Sequence, residues 1–444
     1  MNIKTNTMQR RAFLNARIID PKNLVDIKGG VLIEGEKIID IGPNLFTNTP
    51  PDDVQIIDCN EHCLLPGLVD IRAHLGEPGD EQKETLATSG RAATSGGVTT
   101  IVCLPNTNPV IDDMSGVEFV ARRARKLGLA KVYPYGAVTK NLDGKEIAEL
   151  GMLAEAGAVA FTDGFKPIEN PAVLRKALSY AKTFDLIISQ FPEVSQLSKD
   201  CSMNSGEIAT RLGLIGNPPQ SEVIMVERDI RLLEITGGKI HFANISTASS
   251  IEVIRKAKDR GLSVTCDTAP PYFSLNELAV GDYRTFAKLS PPLRSENDRQ
   301  AVISGLKNGT IDVIASDHRP QDEEVKRLPF AEAAPGGVGL ETLLPITLEL
   351  VNNGDMSLLE ALSFITCKPS ALMGLPSGTL EIGAAADFAL INLDRVWKVS
   401  EKTLNSKSKN SPFDGRPVQG QAITTVIDGR FVHGETPKVN SNDQ

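Results

Sequence analysis

Eight short apolar runs occupy the middle of this chain, at residues 67–74, 98–104, 131–139, 158–163, 185–191, 239–246, 263–269 and 310–317. Between them, Val117–Leu127, Gly144–Ala156, Ala172–Thr183, Ser249–Arg260 and Arg299–Asn308 repeat apolar residues three and four apart. That is the period of an amphipathic helix. Eight strands separated by helices predict a (β/α)8 barrel, and a doubly wound sheet is the other arrangement with this rhythm. Two more helices, Leu340–Val351 and Ser357–Ile365, are expected after the eighth run.

Both ends read differently. Arg11–Ile19, Gly30–Glu34, Lys37–Ile41 and Val54–Asp58 alternate or run apolar between turn residues. So do Asp387–Asn392, Ile423–Asp428 and Arg430–His433, with a hairpin signal at Asp428-Gly429. One small sheet domain assembled from residues 1–66 and 376–444 is expected beside a barrel of residues 67–375. Ser406–Asp414 and the last ten residues read as mobile.

A net charge of −9 excludes a nucleic-acid surface as the main partner. No run approaches the ~18 apolar residues of a membrane span. Arg10-Arg11 resembles an export signal, but Asn15–Pro21 alternates and turns where an apolar core should follow. Six cysteines in apolar surroundings read as reduced thiols of the cytoplasm. Cys59 and Cys63 lack a second pair at zinc spacing.

Chemistry in such barrels sits at the C-terminal ends of the strands. Those ends carry Arg72, His74, Asn106, Thr139, Lys140, Asp163, Gln190, Asn244, Asp267, Asp317 and His318. Within Gly67–Gly79, Arg72 and His74 are two apart and share a strand face. Two histidines there would grip one metal ion. A guanidinium cannot, because it stays protonated and offers no lone pair.

Many ordered segments carry a resemblance: Gly67–Gly79, Leu104–Pro109, Ala158–Asp163, Ile245–Thr247, Pro291–Arg294, Ile311–Pro320, Pro335–Glu341 and Ser406–Phe413. Together they resemble the dihydroorotases of the cyclic amidohydrolase superfamily. The resemblance implies a (β/α)8 barrel of the metal-dependent hydrolase type, with a β-sandwich made by both termini. It also implies zinc and an aspartate general acid/base.

Carried over by position, the metal site is incomplete. His74, Asp163 and Asp317 are retained ligand positions, Asp317 also being the acid/base position. Arg72, Gln190 and Asn244 stand where the family has histidines. Asn106, Gly336 and Gly337 are retained substrate-contact positions. Gly76, Ser290 and Gln321 replace an arginine, an asparagine and a histidine of the substrate grip, and Gly164 replaces a frequent acidic neighbour. No other histidine is placed to substitute: His62 and His433 fall in the terminal sheet, His318 belongs to the motif itself, and His241 is expected to face away from Asn244.

The reading is a non-catalytic dihydroorotase homologue that holds no metal cofactor. Arg72 is expected between Asp163 and Asp317, where it replaces the metal charge. The pattern of loss resembles that of relatives that accompany aspartate carbamoyltransferase, so that enzyme and a homo-oligomer are the expected partners. The alternative is an active cyclic amidohydrolase with a reduced zinc site.

Overall fold

A computed structural model describes residues 10–46 and 51–434. The N-terminal strands are β1 (Arg10–Asp20), β2 (Val25–Glu34), β3 (Lys37–Gly42), β4 (Val54–Asp58) and β5 (Cys63–Pro66). The middle of the chain then supplies β6 (Leu68–Ala73), β7 (Val98–Cys103), β8 (Lys131–Pro134), β9 (Phe161–Thr162) and β10 (Ile187–Gln190). A short side pair follows, β11 (Met203–Asn204) and β12 (Gly216–Asn217). After it come β13 (Lys239–Phe242), β14 (Val264–Thr268) and β15 (Val313–Ile314). The chain returns through β16 (Phe388–Lys398), β17 (Pro417–Ile427) and β18 (Arg430–His433).

Parallel pairing runs β6-β7-β8 and β9-β10-β13-β14-β15. Parallel bridges Gly136–Phe161 and Ala73–His318 join the two arcs into one closed barrel of eight strands. Val69, Ile71, Val102, Leu104, Tyr135 and Val313 fill its interior. The helices pack outside, against the opposite faces of the same strands. This is the expected barrel.

The seam between β6 and β15 is held by a buried carboxylate. Asp70 accepts hydrogen bonds from the Ser316 amide at 2.8 Å, the Ser316 hydroxyl and the Arg72 amide at 3.3 Å. Burial pushes this carboxyl up to about 6, against the pull of the Ser316 bonds. Each buried donor left without an acceptor costs about 1–3 kcal/mol. Asp70→Ala is therefore expected to lower the unfolding free energy by about 3 kcal/mol, read as a shift in the urea midpoint.

The terminal strands form one sheet in the order β18-β17-β16-β5-β1-β2-β3, with β4 also paired to β1. Asp428 and Gly429 have φ of 48° and 70°. Positive φ at both central residues is what the tight β17–β18 turn needs. Lys131, at the start of β8, bonds Asp387 at 2.7 Å and Asp428 at 2.6 Å, which ties this sheet to the barrel.

Two expectations need correction, and one helix is additional. Gly144–Ala156 is helical only over Leu150–Glu155, because Asn141, Leu142 and Gly144 take positive φ and turn the chain first. The 17-residue helix Gln220–Thr236 was not anticipated. Ser406–Asp414 is packed rather than mobile: Ser406, Ser408 and Asn410 are buried and face inward at every second position. The last ten residues lie outside the described ones. Among the described residues, no helix is long and apolar enough to cross a membrane.

Candidate active site

The strand ends converge at one mouth, and Arg72 occupies its centre. It is 2 % exposed. Its Nε donates to Asp317 Oδ1 at 3.1 Å and its Nη2 to the Gly164 carbonyl at 3.1 Å. Its guanidinium carbon lies 5.6 Å from the ring centroids of both Phe165 and Phe191. A planar cation between two aromatic faces and a carboxylate is well held even without water. Burial pushes the Asp317 carboxyl up, and the Arg72 charge pulls it back down.

Asp163 is not part of this pair. Its carboxylate turns away and accepts from the Val138 amide at 3.0 Å, the Thr139 amide at 2.9 Å and the Thr139 hydroxyl. These donors satisfy it, although burial still raises it to about 6. Arg72 meets the backbone of the next residue, Gly164, instead.

His74 lies at 3.3 Å from Asp80 through Nε2 and edge-on to Phe165. Its Nδ1 is buried without a partner. Burial keeps the imidazole toward its neutral form, opposed by Asp80. Gln190 does not face the mouth. It exchanges hydrogen bonds with the Ile168 backbone and donates to Asp229 on the Gln220–Thr236 helix at 3.0 Å. The side chain that meets Arg72 from this strand end is Phe191.

Asn244 has φ of 55°, and both polar atoms of its side chain are buried without a hydrogen-bond partner. Its amide lies near Asp317 and pulls that carboxyl down. The positive φ also breaks the strand alternation. His241 meets Thr265 and Asp267 Oδ2, both at 2.9 Å, and the Asn244 backbone N–H donates to Asp267 Oδ1 at 2.7 Å.

The retained substrate-contact positions are partly engaged within the chain, the Asn106 Oδ1 being buried without a partner among the described residues. Asn106 donates to the Asp163 carbonyl at 3.2 Å. Gly336 gives its carbonyl to Asn410 at 2.9 Å. A Cβ on Gly337 would meet Pro412 at 2.8 Å. Two replaced positions are closed as the chain stands: a Cβ on Gly76 would run into the Glu84 carbonyl, and one on Gly164 would displace the Asn106 side chain, each at a positive φ. Gln321 bonds the Pro335 carbonyl at 3.0 Å.

A zinc ion needs about four convergent N, S or O ligands, or three and a water. His74 points to Asp80, Asp163 to Thr139 and Asp317 to Arg72. Among the described residues, no three His, Cys, Asp or Glu side chains gather around one point. The donors present do not fit the metal. The cavity touching Asp317, under Pro412 and Phe413, has a volume of about 10 Å³, about the size of one water. A roomier hollow of about 820 Å³ lies on the terminal sheet, ringed by Arg17, Lys28, Asp58 and Glu61, with no residue of the barrel strands in its lining.

Sequence reasoning passed over Arg319. It occupies the alanine slot of the family's Asp-His-Ala-Pro-His motif, here Asp317–Gln321. That mismatch was the signal that could have found it.

A dihydroorotase of Anaplasma phagocytophilum is 44 % identical over 425 residues, covering 95 % of both chains. This chain belongs to the dihydroorotase family. A dihydroorotase of Ehrlichia chaffeensis is 43 % identical over 424 residues, and the dihydro-orotase-like family profile matches residues 61–250. Among solved structures, an L-hydantoinase from Arthrobacter aurescens superposes with a TM-score of 0.84 at 24 % identity, covering 97 % of both chains. That likeness establishes the barrel fold. Family membership places the chain among the cyclic amidohydrolases.

Proposed function

We propose that this dihydroorotase homologue serves de novo pyrimidine biosynthesis without hydrolysing dihydroorotate itself, as a cytoplasmic structural companion of aspartate carbamoyltransferase. The observation that carries the proposal is the Arg72–Asp317 pair. A general base must be free to take a proton. Asp317 is instead committed to a guanidinium that never gives one up. The missing carboxylate grip supports the same reading, since position 76 is closed to a side chain as the chain stands. The companion role rests on the pattern of loss, because a fold does not fix function.

The buried, unpaired Nδ1 of His74 favours the alternative, a reduced zinc site with residual hydrolase activity. One experiment decides. The full chain is purified, its zinc content measured, and dihydroorotate hydrolysis followed in both directions. Zinc well below one per chain and turnover at background are expected. Stoichiometric zinc with turnover would overturn the proposal. Co-expression with aspartate carbamoyltransferase, followed by light scattering, is expected to give a joint complex. A solitary chain would remove the companion role.

A further inference from the structure

Arg319 is a cation at the mouth that forms no ion pair among the described residues. Its guanidinium carbon lies 3.9 Å from the centroid of the Phe165 ring, which it covers. The residue is part-exposed. Among the described residues its guanidinium forms no ion pair and donates no hydrogen bond. Burial lowers it to about 10, so it remains charged at neutral pH. Two carboxylates reach it electrostatically without bonding it: Asp317 holds Arg72, and Glu193 accepts from the neutral Asn217 amide at 3.1 Å.

Two more cations stand close by. Lys326 and Lys288 are 3 % and 7 % exposed. Lys326 donates to the carbonyls of Thr285 at 3.1 Å and Lys288 at 3.4 Å. Lys288 donates to the carbonyls of Phe330 and Ala331, both at 2.8 Å. Among the described residues neither bonds a carboxylate. Burial, with the charges of Arg319 and Lys288, pushes Lys326 down to about 7. Arg319, Lys288 and a Lys326 that is about half protonated at neutral pH make a local positive field, offset in part by Asp317 and Glu193. Arg319 is the part-exposed member of the group, whereas Lys326 and Lys288 are buried. A guanidinium fork matches the two oxygens of a carboxylate or phosphate.

We propose that Arg319, backed by Lys326 and Lys288, forms a binding site for a small oxyanion, the carboxylate or phosphate group of a metabolite arriving from solvent. The site differs from the substrate grip of the family, whose arginine and histidine positions are Gly76 and Gln321 here. It does not depend on whether the chain is catalytic.

The test is thermal denaturation of the full chain, titrated with inorganic phosphate in one arm and succinate in the other. Ionic strength is matched with sodium chloride throughout. A saturable rise in Tm is expected in at least one arm, and the stronger arm identifies the oxyanion class. Arg319→Ala, which restores the family's residue, is expected to weaken the apparent affinity at least 10-fold. Arg319→Gln keeps the stem on Phe165, should lose the same response, and serves if the alanine variant misfolds. No saturable shift in either arm, or equal saturation in the variants, would overturn the proposal.

Discussion

Arg72→Met is expected to destabilise the chain by about 3–5 kcal/mol, the cost of leaving a buried charge without its partner. The methionine fills much of the same volume, so lost packing contributes little. What remains is Asp317, 11 % exposed at its side chain, pulled down by the Asn244 amide and the Arg319 charge and pushed up by Asp267. Its carboxyl already titrates above the ordinary 3.8 with Arg72 in place, and it rises further without it. A group whose folded pKa is raised adds stability that is complete below the unfolded pKa and is lost as pH rises through the folded value. The deficit of Arg72→Met should therefore be small in acid and widen toward neutral pH. Adding Asp317→Asn should recover most of it, because two neutral side chains replace a broken pair. Urea denaturation of the four proteins of this cycle at two pH values measures the coupling. A single variant as stable as the parent chain would show that Arg72 neutralises nothing. Arg72→His should not restore zinc or hydrolysis, because Phe191 and Asn244 still offer no imidazole beside it.

The barrel was legible because its signal is repetitive. Eight apolar runs separated by helical periods leave few folds open, and the closing bridges at Ala73–His318 and Gly136–Phe161 follow from that count. The hairpin at Asp428-Gly429 was legible for a local reason, since few other residues tolerate two positive φ values. Elements fixed by distant contacts were not. The helix Gln220–Thr236 buries polar Ser221, Glu222 and Asp229 along with its apolar residues, which blurs its period. Glu222 accepts from the amides and hydroxyls of both Ser246 and Thr247, a role no spacing rule reveals.

In the mouth, position-by-position carry-over worked where the backbone stays regular and failed where it turns. Arg72 and Asp317 meet as anticipated. Asp163 does not join them, because the nearer Thr139 and Val138 donors take it first. Gln190 was assigned to the ligand position, yet the chain leaves β10 so that Phe191, one residue later, faces inward. A slip of one residue at a strand end moves a side chain to the other face. Arg294 belongs to a recognisable motif, but its bonds to Ser246, Asn204 and Asn217 make it an internal post beside the mouth.

The segment Asn405–Phe413 lies as a strap across the mouth, and Glu341→Ala is expected to release it. Glu341 is 8 % exposed. It accepts from the Asn405 amide at 2.7 Å, the Asn405 side chain at 3.0 Å, the Ser406 amide at 3.1 Å and the Ser95 hydroxyl at 2.9 Å. A second carboxylate, Glu84, takes the Ser406 hydroxyl and the Lys407 amide. These two acids fix one end of the strap, and Asn410 fixes the other against Gly336 and Gln321. Removing Glu341 strands two backbone donors at about 1–3 kcal/mol each, so a loss of about 4 kcal/mol is expected if the strap stays down. Lifting the strap lets water satisfy those donors, at the expense of the contacts that Pro412 and Phe413 make over the mouth. The smaller of these two costs sets the outcome, and local opening avoids disturbing the barrel. Amide exchange is the measurement. Residues 405–413 should lose protection in Glu341→Ala while β6, β7 and β8 keep theirs. Uniform loss across the barrel would mean that Glu341 supports the whole fold and that the mouth has no separate cover.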